Sequence, residues 1–132
     1  MTYRDHPCRV HNIDGSIVIS FPPEVIPKYM NDFFDSMKDI IEKDRYDPIE
    51  ASARAHAIIG RIHPFSDGNG HMARFVANAI LLANGYHLLQ FSPMNESLYS
   101  LFMKEYSLTG RIENFISYWR QLVQRNEEKY HG

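Results

Sequence analysis

The residues of this 132-residue chain best suited to chemistry lie in one stretch, His63-Pro64-Phe65-Ser66-Asp67-Gly68-Asn69-Gly70-His71-Met72-Ala73-Arg74. Pro64 pushes its predecessor out of the α region, so a helix arriving from upstream must end near His63. A second helix opening at Asn69-Gly70 would turn its free N–H groups and positive dipole end toward the loop. Gly68 and Gly70 would let the backbone curl so that successive amides point at one anion. Phosphate is the natural guest. Asp67 adds a hard oxygen ligand suited to Mg²⁺ bridging phosphate oxygens, and Arg74, one turn beyond Gly70, can place its guanidinium fork on the same group. An imidazole at His63, near neutral pKa, can take a proton from an incoming hydroxyl. Phosphoryl-type transfer then needs mostly positioning and charge stabilisation.

Blander readings exist for each part: a His before Pro ends a helix, Gly-x-Gly makes a turn, and Asp before Gly caps. A rival from another class is a metal-dependent hydrolase, since His63, Asp67 and His71 recur every four residues and would share a face on a continuous helix, with His56 two turns upstream. Pro64 and the glycines argue against that helix. A third reading is an interaction module with weak or no catalysis.

The elements that must position this stretch are mainly helical. A β-hairpin is expected first, Val10 to Ile13 and Ser16 to Phe21 flanking Asp14-Gly15 as a type I′ turn. A lone two-stranded hairpin is marginal, so its Ile17 to Ile19 face should lean on the helices or await a third strand. After Pro22-Pro23, the spacing of Val25, Tyr29, Met30, Phe33, Phe34, Met37, Ile40 and Ile41 predicts an amphipathic helix with Pro27 in its first turn. Asp47-Pro48-Ile49-Glu50 opens the next helix, with Asp as cap, Pro at the first position and Glu reaching back; it runs toward Ile62. The helix from Asn69-Gly70 should stop at Asn84-Gly85, and its apolar run Phe75 to Ala83 marks it as the central buried helix. Two more helices are expected, Asn95 to Leu108 and Ile112 to Arg125, separated by Gly110, followed by a frayed charged tail over 126–132.

Length suits one domain. A formal charge of −2 offers no case for gripping a nucleic-acid backbone. Cys8 is the single cysteine, which excludes an intrachain disulfide and fits a reducing compartment, so the cytoplasm is expected. The first ten residues lack the apolar core of a signal peptide and no segment reads as a membrane span. His6, His11, His87 and His131 have no partner pattern and are expected on the surface.

The stretch from His63 to Arg74 resembles the Fic signature, His-x-Phe-x-Asp/Glu-Gly-Asn-Gly-Arg-x-x-Arg, departing from it at one position. The hairpin followed by paired prolines, the helices on either side of the motif and the run Gly110-Arg111-Ile112-Glu113-Asn114-Phe115-Ile116 are also similar to the Fic core. The resemblance implies a compact helical bundle with a hairpin flap over 9–21 and an active-site segment over 63–74. It implies a protein adenylyltransferase that moves AMP from ATP to a Ser, Thr or Tyr hydroxyl. His63 would be the base, Phe65 would pack inward to fix the loop, Asp67 would hold Mg²⁺, and Gly68, Asn69 and Gly70 would form the anion hole. Arg74 would match the second family arginine and contact the terminal phosphate. The flap, through Val10, Ile17 and Ile19, would dock the target segment as an added strand. The intact Gly-Asn-Gly resembles AMP-transferring members rather than the kinase-like branch in which the last glycine is lysine.

The departure is His71, where the family has its first arginine. A neutral imidazole offers no fixed cationic fork, so reduced activity or transfer of a different nucleotide moiety is part of the expectation. Many Fic proteins are restrained by a helix bearing Ser/Thr-x-x-x-Glu-Gly/Asn, and Thr109 to Asn114 matches that string. The expected helix break at Gly110 argues that Glu113 is instead a first-turn acid of the last helix. Nothing before the hairpin is expected to hold such a helix, which leaves a fragment, a domain restrained by a separate antitoxin-like protein, or an unrestrained one. A secreted effector acting in a host cytosol would be consistent with the same domain.

Overall fold

The structure, a computed structural model, describes all residues except 1, 12, 13, 44, 91–95 and 132. Its elements, in order, are β1 (Arg9–His11), β2 (Ile17–Ile19), a 3-10 turn over Pro23–Val25, α1 (Ile26–Lys43), α2 (Pro48–Ile62), α3 (Asn69–Ala83), α4 (Glu96–Thr109) and α5 (Glu113–His131). The fold is mainly helical with one small antiparallel hairpin. No helix among the described residues is long and apolar enough to cross a membrane.

The axis of the fold is α2. Asp47 caps it by accepting a hydrogen bond from the Glu50 backbone N–H at 3.0 Å, and Pro48 takes the first helical position, where its missing N–H costs nothing. Glu50 does not reach back to complete the box; its carboxylate accepts from Arg54 Nε at 2.9 Å. Ala51, Ser52, Ala53, Ala55 and Ala57 are buried around the helix. These small side chains let α3, α5, α1 and α4 all pack against it. One side of the core gathers Ala53, Ala57, Leu81, Phe115 and Trp119, and the other gathers Ile26, Met30, Phe33, Ile59 and Ala73. The central helix is thus α2 rather than the expected α3. That helix buries only Asn69, Ala73, Ala77 and Leu81, and leaves Phe75 71% and Leu82 53% exposed. Overall hydrophobicity misled here, because alanine makes a helix thin enough to be surrounded.

Two polar side chains of α2 find partners inside the core. The Trp119 indole N–H donates to Ser52 Oγ at 2.9 Å, and that hydroxyl donates to the Ile49 carbonyl at 2.7 Å. His56 is fully buried, with Nε2 2.7 Å from the Tyr99 hydroxyl and its ring against Phe115 and Trp119. It packs as a core residue.

In α1 the expected apolar stripe divides: Met30, Phe33 and Met37 are buried, joined by Ile26, while Tyr29, Phe34 and Ile41 stay exposed. The hairpin register pairs Arg9 with Ile19, Val10 with Val18 and His11 with Ile17. The ladder therefore ends at His11 and Ile17, and Asp14 does not share the positive φ of Gly15, 86°, that a type I′ turn requires at both central residues. Asp14 instead accepts from the Ser16 backbone and hydroxyl, an Asx turn. Ile13 and Asn95, expected at element edges, lie outside the described residues.

Gly110, at φ 78°, ends α4. Thr109 Oγ1 donates back to the Glu105 carbonyl and accepts from the Arg111 N–H, while Glu113 opens α5. The string from Thr109 to Asn114 therefore straddles a break between helices. Among the described residues the tail expected to fray is helical, with α5 continuing to His131. Its last turns hold the segment after α3, with Asn126 Nδ2 donating to the Leu88 carbonyl at 3.0 Å, and Glu127 accepting from the His87 backbone N–H at 3.0 Å. The His87 ring lies 2.8 Å from Glu127 and stacks on Tyr130. His87 is thus no idle surface histidine.

Burial pushes His56 down to about 3, and burial followed by the charge of Arg4 lowers His63 from its ordinary 6.5. Below that ordinary value the unfolded chain binds protons that the folded chain refuses, so stability is full above it and drains as pH falls. Urea unfolding should show this acid limb, approaching ~1.4 kcal/mol per pH unit for each such histidine. His56→Gln should flatten it; an acid limb of the same slope in that variant would assign the loss to other groups.

Candidate active site

The site is built where α2 stops and α3 starts. The last N–H of the helix, on His63, still donates to the Ile59 carbonyl at 2.9 Å. His63 itself then turns left-handed, φ 51° and ψ 61°, and it is the sole non-glycine residue with positive φ among those described. A left-handed turn costs a side-chain-bearing residue about 1–2 kcal/mol, so it persists only where its surroundings impose it. Pro64 is one such constraint, as the sequence implied. The other is Arg4, which is 3% exposed. Its Nε donates to the His63 carbonyl at 2.5 Å, Nη2 to the carbonyls of Phe21 at 2.6 Å and Ile62 at 3.3 Å, and Nη1 to that of His6 at 2.8 Å. Its own N–H donates to the Pro64 carbonyl at 2.8 Å. Nothing local to Arg4 in sequence announced this, because its principal partners lie 17 to 59 residues away. The imidazole of His63 is half-buried, and with its pKa lowered it is neutral at neutral pH.

The loop between the helices is braced from within. Asn69 is buried; its Nδ2 donates to the Phe65 carbonyl at 2.8 Å and its Oδ1 accepts from the Phe65 N–H at 2.9 Å. The side chain is thereby committed to the loop, leaving its backbone N–H as the group available to an anion. Phe65 is buried and meets the Tyr3 ring, centroids 5.9 Å apart.

Gly68 caps α3 in a left-handed conformation, φ 75°. Gly70 does something else. It sits in the first helical turn, where a Cβ would stand 3.2 Å from Arg74 Nη1, so the missing side chain lets the guanidinium fold back over the helix start. The positive end of the helix, its free amides and a fixed cation coincide there.

Asp67 and His71 are exposed on either side of this turn. His71 Nδ1 makes a long contact, 3.4 Å, with Arg74 Nη2. The stretch is not a continuous helix, so His63, Asp67 and His71 share no face. Among the described residues, no group of three or more His, Cys, Asp or Glu could hold a metal ion, which removes the ground for the hydrolase reading. On the flap, Ile17 and Ile19 are 48% and 72% exposed, and the hairpin is tied to α4 by Lys104 Nζ and Asp14 Oδ2 at 3.2 Å. Val10 pairs in the ladder, but its side chain lies outside the described residues.

The sequence profile of the Fic/DOC family matches residues 2–81. The chain belongs to the Fic/DOC family. A protein adenylyltransferase Fic from Nematostella vectensis is 33% identical over 112 residues, 82% of this chain and 25% of that protein. Protein adenylyltransferase fic-1 of Caenorhabditis elegans is 38% identical over 64 residues, 48% of this chain and 12% of its own length. Among solved structures, a Fic domain containing signaling protein from Bacteroides thetaiotaomicron superposes with a TM-score of 0.87 at 25% identity, covering 96% of this chain and 52% of that one. The chain thus spans a quarter or less of the length of these curated Fic relatives. In this Fic/DOC chain the segment from His63 to Arg74 spans the end of α2, the loop after it and the start of α3.

Two glycines so differently placed should answer differently to alanine. Gly68→Ala is expected to lower stability by about 1–2 kcal/mol through its forced left-handed φ. Gly70→Ala should cost little, since alanine's helix propensity, worth about 1 kcal/mol, offsets the nudge to Arg74. Chemical denaturation of both checks this, and equal losses would contradict the distinct roles.

Proposed function

We propose that this chain transfers the AMP part of ATP to a hydroxyl side chain of another protein, with His63 as general base. The observation that carries the reading is the junction of α2 and α3. There a half-buried histidine, depressed in pKa, adjoins a helix start that offers free amides and the guanidinium of Arg74. His63 would take the proton of the incoming hydroxyl, the oxygen would form a bond to the α-phosphorus, and the bond to pyrophosphate would break. The N–H groups from Gly68 to Gly70 and Arg74 would hold the phosphates against the charge that departs with pyrophosphate.

Mg²⁺, when bound, supplies neutralisation of the phosphate oxygens. Asp67 is the residue that would hold it, and a single exposed carboxylate suits a metal that keeps several waters and takes other ligands from substrate phosphates. The flap is read as the docking edge for the target segment, because β2 belongs to a two-stranded sheet and presents Ile17 and Ile19 outward. The string from Thr109 to Asn114 is not read as an inhibitory helix, because the break at Gly110 denies it one.

Incubating the protein with labelled ATP, Mg²⁺ and cell lysate should give labelled protein, and His63→Ala should reduce the rate by roughly 10²–10⁴. Equal labelling by the variant would remove His63 as base, and no labelling by either would favour a non-catalytic Fic scaffold. Parallel labelled CTP, GTP and UTP read the nucleotide preference, and prolines at Ile17 and Ile19 should abolish target labelling if the flap docks it.

His71→Arg should raise the transfer rate at pH 8, because an arginine brings a planar, always charged fork that an imidazole lacks. An unchanged or lower rate would mean that the imidazole suits this chain's own reaction.

A further inference from the structure

Arg4 lies outside the signature, yet it joins three pieces of the chain that the reaction has to keep in register. Its guanidinium donates to the carbonyls of Ile62 and His63 at the end of α2, to that of Phe21 where the chain leaves the hairpin, and to that of His6 in the N-terminal segment. Carbonyls in the last turn of a helix have no partner within the helix, and a left-handed residue there points its own carbonyl away from it. A planar fork of donors can satisfy several such oxygens from one rigid group, which an ammonium on a flexible stem cannot do in fixed geometry.

We propose that Arg4 is a positioning residue for His63: its guanidinium fixes the left-handed turn from which the imidazole is presented, and registers the flap exit to the same point. The inference rests on the reading of His63 as the base. It explains why the base can occupy a strained conformation, and it ties flap and base so that a segment docked on one stands at a set distance from the other. Arg4 also brings charge. Burial is the larger cause that lowers the His63 pKa, and among the described residues Arg4 is the charge that lowers it further.

Geometry and charge are separated by Arg4→Lys, which keeps the charge and loses the fork, and Arg4→Met, which loses both. Each is measured by the pH dependence of AMP transfer, by the split between kcat and KM for ATP, and by NMR titration of the His63 ring assigned with His63→Ala. Both variants should lose roughly tenfold to a hundredfold in kcat, as for a displaced reacting group, with KM for ATP within about threefold. The His63 pKa should rise in Arg4→Met and stay low in Arg4→Lys. A merely structural arginine would lower the melting temperature while leaving kcat and the titration of the folded protein unmoved, and that result overturns the proposal.

Should Arg4→Met not fold, Arg4→Lys decides alone: a wild-type kcat in it refutes the positioning role. Should the wild type transfer no AMP, the proposed function fails separately. The titration and chemical shifts of His63 then judge Arg4, and values unchanged in both variants would overturn the inference.

Discussion

Everything in this fold depends on α2 being thin. Four helices can lie against one only if its side chains leave room, and the run of alanines with Ser52 provides that room on every side. Larger residues are spent at its ends, Ile49 near the cap and Ile59 and Ile62 near the exit, where they anchor the two halves of the core. The same helix carries two polar contacts into the core, Ser52 with Trp119 and His56 with Tyr99, so its rotation is fixed as well as its position. A helix that cannot slide or turn is a firm base for the residue at its end.

That residue is then set by backbone rather than by side-chain contact. Pro64 forbids the helix from continuing, Arg4 collects the carbonyls this releases, and Asn69 folds the following loop onto itself through Phe65. The outcome is a turn whose amides face outward at the start of α3. Charge stabilisation of a phosphate by such a turn needs no reorganisation when the reaction occurs, because the donors are held by bonds made at folding.

Much of this was legible because it is local. Asp47-Pro48, Gly85 and Gly110 act within a turn of themselves, and they set the ends of α2, α3 and α4 as the sequence indicated. The motif from His63 to Arg74 likewise carried its helix end, its loop and its helix start within a dozen neighbours. What failed was set at a distance. The charged run after Arg125 read as a fraying tail because its partners, His87 and the Leu88 carbonyl, are 38 to 40 residues upstream. Arg4 was passed over for the same reason. The choice of α3 as the central helix failed differently: apolar density measures what a helix would like to bury, whereas burial from all sides is decided by how closely neighbours can approach. The hairpin turn was misjudged by counting Asp14-Gly15 alone, when Asp14 does not share the positive φ that a type I′ turn requires.

The division of labour inside the loop also governs how this domain can change. Phe65, Gly68, Asn69 and Gly70 are fixed by the folding of the turn itself, through burial, a left-handed angle, a reciprocal amide pair and the nearness of Arg74. Ser66 and Asp67 are exposed and support none of these, while exposed His71 makes a long contact, 3.4 Å, with Arg74. Mutational drift therefore meets a rigid cassette with replaceable outward positions. A substitution at 67 or 71 would change the outward face of the loop without disturbing the scaffold that holds it, whereas one at 65, 68 or 69 would reach the architecture itself.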